Sequence, residues 1–222
     1  MNPTIEDLLE EAAVPTSAAA SFDVGQALRR LAVDAAKAKA APPKELVRAT
    51  EAGRRLPVIS RWILNRPEAA AQIDRLARDT QDDDVQEEHL DIDGALVYGA
   101  LLYLTGHPES AQFWWQLAAG AGRRAAAYCL HLHHLALGEL KEARHWHHQV
   151  TDSSLDSEAP DADFMAFMGA VALYVRRHGS EATGPTAVLE MEIDRLATRG
   201  QCVIVSGPDR RLANRLADFA RR

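Results

Sequence analysis

Six of the nine histidines lie between residues 131 and 148, where they form the densest set of chemically active side chains. Four of them form two pairs with a spacing of three residues: His131 with His134, and His145 with His148. Residues three positions apart are neighbours on a helix, so each pair would share one face. If a turn joins the two helices, His134 and His145 can face each other, and converging neutral imidazoles bind zinc or another borderline metal.

Structural roles compete with metal binding for these histidines, and we favour the structural roles. A histidine can replace an aromatic residue in a helical core or lie on the solvent-facing side. A pH-sensitive partner interface is a third use, because the imidazole changes charge near pH ~6.5. We therefore predict no metal and no cofactor, and we keep zinc at His131, His134, His145 and His148 as the alternative.

Motifs for nucleophilic catalysis and nucleotide binding are missing from the sequence. It contains no Gly-x-Ser-x-Gly, no Gly-x-Gly-x-x-Gly and no Gly-x-x-x-x-Gly-Lys. Two isolated cysteines, Cys129 and Cys202, indicate reduced thiols in a cytoplasmic protein. We interpret Cys129 as a small core residue and expect that the protein is not an enzyme.

Residues 49–66 have a spacing similar to that of the helix-turn-helix of bacterial regulators. In that motif Ala49 would pack in the first helix, Gly53 would make the turn, and the recognition helix would contain Ile59 and Trp62. Three arginines would contact DNA phosphates: Arg54, Arg55 and Arg61. The motif usually has an apolar residue after the glycine, where this chain has arginine. DNA binding is therefore an alternative and not our first interpretation.

Composition favours a helical globular protein over other classes. The chain has 222 residues, of which 47% are apolar and only 6% are aromatic, and alanine contributes much of the apolar share. Such a core is typical of helices that approach closely. The formal net charge of −7 argues against general binding to nucleic acid. An excess of arginine over lysine, together with abundant alanine, is typical of a GC-rich genome such as that of an actinobacterium.

Breaker residues and hydrophobic periodicity divide the chain into five predicted segments. The segments are an N-terminal helix and linker (1–20), a helical region (21–80), an acidic linker (81–92), a helical-repeat core (93–150) and a C-terminal helical region (151–222). Within the last segment, residues 201–205 read as a short β-strand. A lone strand must pair within the chain or across a homodimer, or else the segment is helical.

Caps and prolines predict where several helices begin and end. Asp93 is expected to cap the helix that follows it. A helix from residue 44 should end near residue 55, because Pro57 would start or kink the next segment. Pro67 is expected at the first position of another helix.

An internal repeat is the most specific pattern in the sequence. Three pairs of identical residues are 32 positions apart: Gly106 and Gly138, Ala111 and Ala143, and Trp114 and Trp146. Glycine permits a tight turn between two helices, and alanine lets the second helix approach the first. The tryptophan fills the space where one hairpin meets the next. Since a single hairpin cannot cover its own apolar face, we expect stacked antiparallel hairpins.

This repeat resembles the tetratricopeptide and Sel1-like helical-repeat families, and the Sel1-like pattern is the closer match. The resemblance covers about residues 85–150. The residues that carry it are Ala111, Trp114, Trp115, Leu117, Ala118, Ala119, Gly122, Ala125, Ala126, Ala127, Leu130, Gly138, Ala143 and Trp146. His131 stands where the family has a small residue, and His147 where it has a bulky apolar one. The resemblance implies an all-α, non-enzymatic scaffold that binds proteins.

We therefore expect a cytoplasmic adaptor or regulatory protein that binds a partner through its repeat surface, with Trp115, His133 and Trp146 as contact residues. A sigma factor or its regulator is the partner that we expect in such a bacterium, and a homodimer is compatible with the sequence. The acidic N-terminus has no secretory pattern, and no apolar run reaches the ~20 residues of a membrane span, so we expect no membrane partner. The alternatives are a DNA-binding regulator, in which the repeats serve oligomerisation, and a metal-binding sensor.

Overall fold

Helices account for nearly all of the residues that the computed structural model describes. The described residues are 25, 28–30, 43–80, 90–151, 161–178, 185–199 and 204–221. Packing divides the chain into two units, Met1–Pro43 and Lys44–Arg222. In the first unit, the described residues include one helical contact, in which the Arg29 guanidinium donates to the Gly25 carbonyl (3.1 Å).

The described part of the second unit contains nine helices. They are α1 (Lys44–Leu64), α2 (Ala69–Asp79), α3 (Ile92–Leu104), α4 (Pro108–Gly120), α5 (Arg124–Leu137), α6 (Leu140–Thr151), α7 (Asp161–His178), α8 (Ala187–Arg199) and α9 (Arg210–Ala220). Short turns join α3 to α4 and α5 to α6, so each pair forms an antiparallel hairpin, and α4 also lies against α5. The expected all-α class and its helical hairpins are confirmed.

The α3 helix lies at the centre of the second unit. Every residue from Gly94 to Leu102 is buried, so α3 is apolar on all sides and has neighbours all round. Those neighbours are α1, α2 and α4, while α1 also packs against α5 and α7, and α2 against α9. Many of the alanines, among them Ala95, Ala111 and Ala118, are fully buried between helices. The alanine-rich composition therefore reflects close helix packing.

Three glycines end helices with the same backbone geometry. Gly106, Gly122 and Gly138 have φ values of 84°, 88° and 79°, in the left-handed region that favours glycine. After each glycine, the next backbone N–H donates to the carbonyl five residues earlier, which is the Schellman cap. These bonds join His107 to Leu102 (2.9 Å), Arg123 to Ala118 (3.0 Å) and Glu139 to His134 (2.9 Å). The turn roles predicted for Gly106 and Gly138 are confirmed.

The α1 helix differs from its prediction, because it continues through Pro57 to Leu64. Proline lacks the N–H that would bond to the Gly53 carbonyl, and a proline inside a helix costs ~3 kcal/mol or more. Three fully buried side chains, Leu56, Ile59 and Ile63, offset this cost, since each contributes ~1.5–3 kcal/mol. Tertiary burial therefore overrides the local break. The helix-turn-helix alternative needs a turn at Gly53, and the continuous helix α1 contradicts it.

Two further helix starts need correction, and the predicted strand is not confirmed. The side chain that caps α3 is Asp91 and not Asp93, because Asp91 accepts a hydrogen bond from the Gly94 N–H (2.6 Å). The α2 helix begins at Ala69, two residues after Pro67. In the predicted strand, residues 201–203 lie outside the described residues. The described Val205 is not in a strand, because its N–H donates to the Ser110 hydroxyl (3.0 Å) instead of to a neighbouring strand.

The segment that precedes α9 is held by side chains of α3 and α4 and by Thr80, the residue that follows α2. Tyr98 donates to the Ser206 carbonyl (2.8 Å), and Thr80 donates to the Pro208 carbonyl (3.1 Å). These side chains supply the partners that a strand ladder would otherwise provide. Among the described helices, none is both long and apolar enough to cross a membrane.

Candidate functional site

A groove of about 570 Å³ lies over the second half of α5, between the first turns of α1 and the first two turns of α6. We call it the α1/α5/α6 groove. Its lining residues are Glu45 and Arg48 from α1, His131 and Leu135 from α5, and Leu140, Ala143, Arg144 and His147 from α6. Pockets of this volume are large enough to hold a ligand or several side chains of a partner.

The α6 wall of the groove is one continuous helix face. Its lining residues, Leu140, Ala143, Arg144 and His147, follow the spacing i, i+3, i+4 and i+7. The small Ala143 is buried against α5, whereas Leu140 is 38% exposed and half-buried Leu135 faces it from α5. The groove therefore has an apolar floor that is open to solvent.

Two imidazoles meet at one end of the groove. The ring centroids of His131 and His147 are 5.2 Å apart. His131 Nδ1–H donates to the Ala143 carbonyl (2.8 Å), which leaves Nε2 as an acceptor in the neutral ring. Burial lowers the pKa of His131, the nearby His147 and Arg55 lower it further, and the Ala143 carbonyl opposes the shift. His131 is therefore neutral at pH ~7.

Charge at the rim of the groove is mainly positive. Arg48 and Arg144 are both exposed, and neither forms an ion pair with any residue in the described part of the chain. Glu45 is the single carboxylate among the lining residues. The positive charge of the rim is therefore opposite in sign to the net charge of the chain, which is −7.

The first hairpin has no such groove at the corresponding place. Thirty-two residues before His147, Trp115 is fully buried, and 32 residues before His131 stands Gly99. A Cβ at Gly99 would lie only 2.6 Å from the Trp115 ring, so the indole occupies the space that glycine leaves. Tyr103 (5.6 Å between ring centroids) and His133 of α5 (6.5 Å) complete the packing around Trp115. The second hairpin stays open because histidine replaces both the glycine and the tryptophan.

The predicted contact residues lie away from this groove. We expected Trp115 to contact a partner, but its side chain is fully buried, because Gly99 on the neighbouring helix leaves room for the indole in the core. His133 is buried beside Trp115, and Trp146 is half-buried against the core. Arg48 and Arg144 were missed by the sequence analysis. The departures of His131 and His147 from the repeat pattern were the signal that could have located the groove.

The histidines pair differently from the arrangement that a metal site would need. His134 Nδ1–H donates to the Glu139 carboxylate (2.6 Å), and His131 lies beside His147. His145 stacks edge-on against the Trp146 indole, with 5.0 Å between ring centroids. In the part of the chain that the structure describes, no group of three or more His, Cys, Asp or Glu side chains could hold a metal ion.

The arginines considered for DNA binding all lie on the continuous helix α1. Arg54 and Arg61 are exposed, while Arg55 bonds to Glu51 (3.2 Å) and to Tyr128. Because α1 has no turn at Gly53, these arginines are not arranged as in a helix-turn-helix. Arg54 and Arg55 instead line a cavity of about 180 Å³ between α1 and α7.

No protein-family model, curated protein or solved structure matches this chain. No relative therefore supplies a site residue or an activity by comparison, and the resemblance to Sel1-like repeats stays a prediction. The binding chemistry has to follow from the groove itself, whose floor, rim and walls are all on described helices.

Proposed function

We propose that this protein is a non-enzymatic adaptor that binds a partner protein in the α1/α5/α6 groove. The observation that carries the proposal is the difference between the hairpins: Trp115 fills the first, and the second is open. Protein interfaces combine an apolar centre with a polar rim. Leu135 and Leu140 would form such a centre, and Arg48 and Arg144, which pair with no residue in the described ranges, would lie on its rim.

The burial of the Cys129 thiol argues against nucleophilic catalysis by that residue. Cys129 is fully buried among core side chains, and burial raises the pKa of its thiol far above the usual value. The thiolate is the reactive form, so a thiol in this position is inert. We place the adaptor in the cytoplasm, where such thiols stay reduced. A sigma factor or its regulator remains the partner that we expect.

Site-specific photo-crosslinking in cells of the source organism tests the proposal. A photoreactive amino acid replaces Leu140 in the groove and, in a matched control, Met191, which is 63% exposed on α8. We expect one discrete adduct from position 140 and none of the same mass from position 191. Adducts that are equal at both positions, or no discrete adduct at position 140, would contradict the proposal.

A further inference from the structure

We infer that the groove receives an acidic, amphipathic α-helix of the partner. This inference rests on the proposed function and deepens it, because it names the chemistry of the partner segment.

The correspondence between the two hairpins identifies the occupant as a helix. In the first hairpin, the faces of α3 and α4 around Trp115 are covered by α5, which brings His133 to within 6.5 Å of both Trp115 and Tyr103. In the second hairpin, α7 contacts α6 and meets the first half of α5, where Phe164 lies against Tyr128 (6.4 Å between ring centroids), but none of its residues lines the α1/α5/α6 groove. α7 also packs against α1, where Phe167 meets Trp62 (6.3 Å between ring centroids). The open groove is therefore a place shaped for one more helix.

The apolar floor requires an apolar stripe on that helix. Leu135 and Leu140 face the groove from two helices, with Ala143 between them. The lining residues of α6 extend over seven positions, which is about 10 Å at 1.5 Å per residue. A helix that lies along this floor would contact it with residues at i, i+3, i+4 and i+7, as in other helix-in-groove complexes.

The rim requires acidic residues beside that stripe. Arg48 on α1 and Arg144 on α6 stand on opposite walls, and no described residue neutralises either of them. His131 and His147 add no negative charge, so Glu45 alone opposes an acidic ligand. Arginine pairs well with carboxylates because its planar guanidinium can donate two parallel hydrogen bonds.

Peptide binding to the full chain tests the inference. The probe is a fluorescent synthetic helix with leucine at each i, i+3, i+4 and i+7 position and glutamate at the flanking positions. A second probe has lysine in place of every glutamate. We expect the acidic probe to bind the wild-type chain at least about tenfold more tightly than the basic one, measured by fluorescence anisotropy.

Charge reversal supplies the decisive comparison. The double variant Arg48→Glu/Arg144→Glu should lose about tenfold in affinity for the acidic probe and gain affinity for the basic probe. The control, Arg210→Glu/Arg215→Glu, reverses two exposed arginines of α9 and should bind like the wild type. The gain for the basic probe shows that the variant is folded. Equal affinity of wild type and Arg48→Glu/Arg144→Glu for the acidic probe would overturn the inference.

A second variant fills the groove without changing its charged rim. His131→Gly/His147→Trp copies Gly99 and Trp115 of the first hairpin, so the new indole should occupy the floor. We expect this variant to stop binding the acidic probe, while its circular dichroism spectrum remains that of a helical protein. Retained binding of the probe by a folded variant would show that the probe binds elsewhere and would overturn the inference.

The outcomes separate this inference from the proposed function. A crosslink at position 140 without binding of the acidic probe leaves the adaptor function in place and overturns the acidic helix. Binding of the acidic probe without a crosslink at position 140 leaves the preference for an acidic helix in place and overturns the adaptor function. Sedimentation also tests whether the occupant is a second copy of this chain. If the wild type is a dimer and Arg48→Glu/Arg144→Glu is a monomer, a second copy occupies the groove, and the inference of a separate partner is overturned.

Discussion

At the scale of the residue, two glycines at the end of α4, Gly120 and Gly122, differ in backbone conformation. Gly120 is helical, Gly122 has φ 88°, and a Cβ added at either would meet no atom within 4 Å. We expect Gly122→Ala to lower the free energy of unfolding by about 1–2 kcal/mol, because alanine is strained at positive φ. Gly120→Ala should be neutral or raise it by up to ~1 kcal/mol through helix propensity. Urea denaturation of both variants measures the difference, and equal effects would contradict this account.

Gly99 is required for a different reason, which is the close approach of Trp115. Gly99→Ala should lower the free energy of unfolding by about 1–3 kcal/mol, because the buried indole has no room to move away. The matched control is Gly53→Ala, where the new Cβ would meet Ala136 at an ordinary 3.8 Å. Thermal melting of the two variants provides the test. A variant Gly99→Ala as stable as the wild type would show that Trp115 can shift.

His133 should make stability depend on pH. Burial lowers the pKa of His133 and the neighbouring His134 lowers it further, although Glu139 and Glu109 oppose the shift. The unfolded chain then takes up the proton at a higher pH than the folded chain, so stability falls as the pH drops from ~7 to ~5. Replacing His133 with phenylalanine should reduce this slope in urea denaturation at several pH values. An unchanged slope would contradict the role of His133.

At the scale of the element, charged side chains hold α8 against the start of α9. Glu192 is buried and accepts from Arg195 (2.6 Å) and Arg211 (2.7 Å), while Arg195 also donates to Asp209, the residue that caps α9 (2.6 Å). We expect Arg195→Ala to destabilise the fold by about 3 kcal/mol, because it leaves the buried Glu192 carboxylate and the half-buried Asp209 carboxylate with fewer partners. Arg215→Ala, at an exposed position of α9, should stay within ~0.5 kcal/mol of the wild type. Similar effects of the two substitutions would contradict a structural role for this network.

The helices whose ends were predicted well are those with a local chemical stop. Gly106 and Gly138 end two helices where the sequence indicates, because an αL cap depends on the glycine itself. Pro57 is also a local signal, but burial of its neighbours on α1 outweighs it. The predicted strand is not confirmed, and at its described end Ser110 and Tyr98, about 95 to 108 residues away, supply hydrogen bonds that no local pattern reveals.

The groove could be predicted only in part, because its openness depends on pairs of positions in different helices. The sequence shows that His131 and His147 break the repeat pattern. It does not show that the Trp115 indole is buried against Gly99, and this contact decides which hairpin stays open. Nor does it show that the first turns of α1 bring Arg48 to face Arg144 across the groove.

At the scale of the whole molecule, the early helices of the second unit depend on residues synthesised much later. The hydrogen bond from Thr80 to Pro208 joins residues 128 positions apart, and α9 is a packing partner of α2. Contacts between such distant residues close slowly, and exposed apolar surface in the meantime promotes aggregation. On the ribosome, α2 and the Tyr98 side of α3 therefore emerge without the segment that covers them. A nascent chain stalled before residue 204 would offer this surface to chaperones.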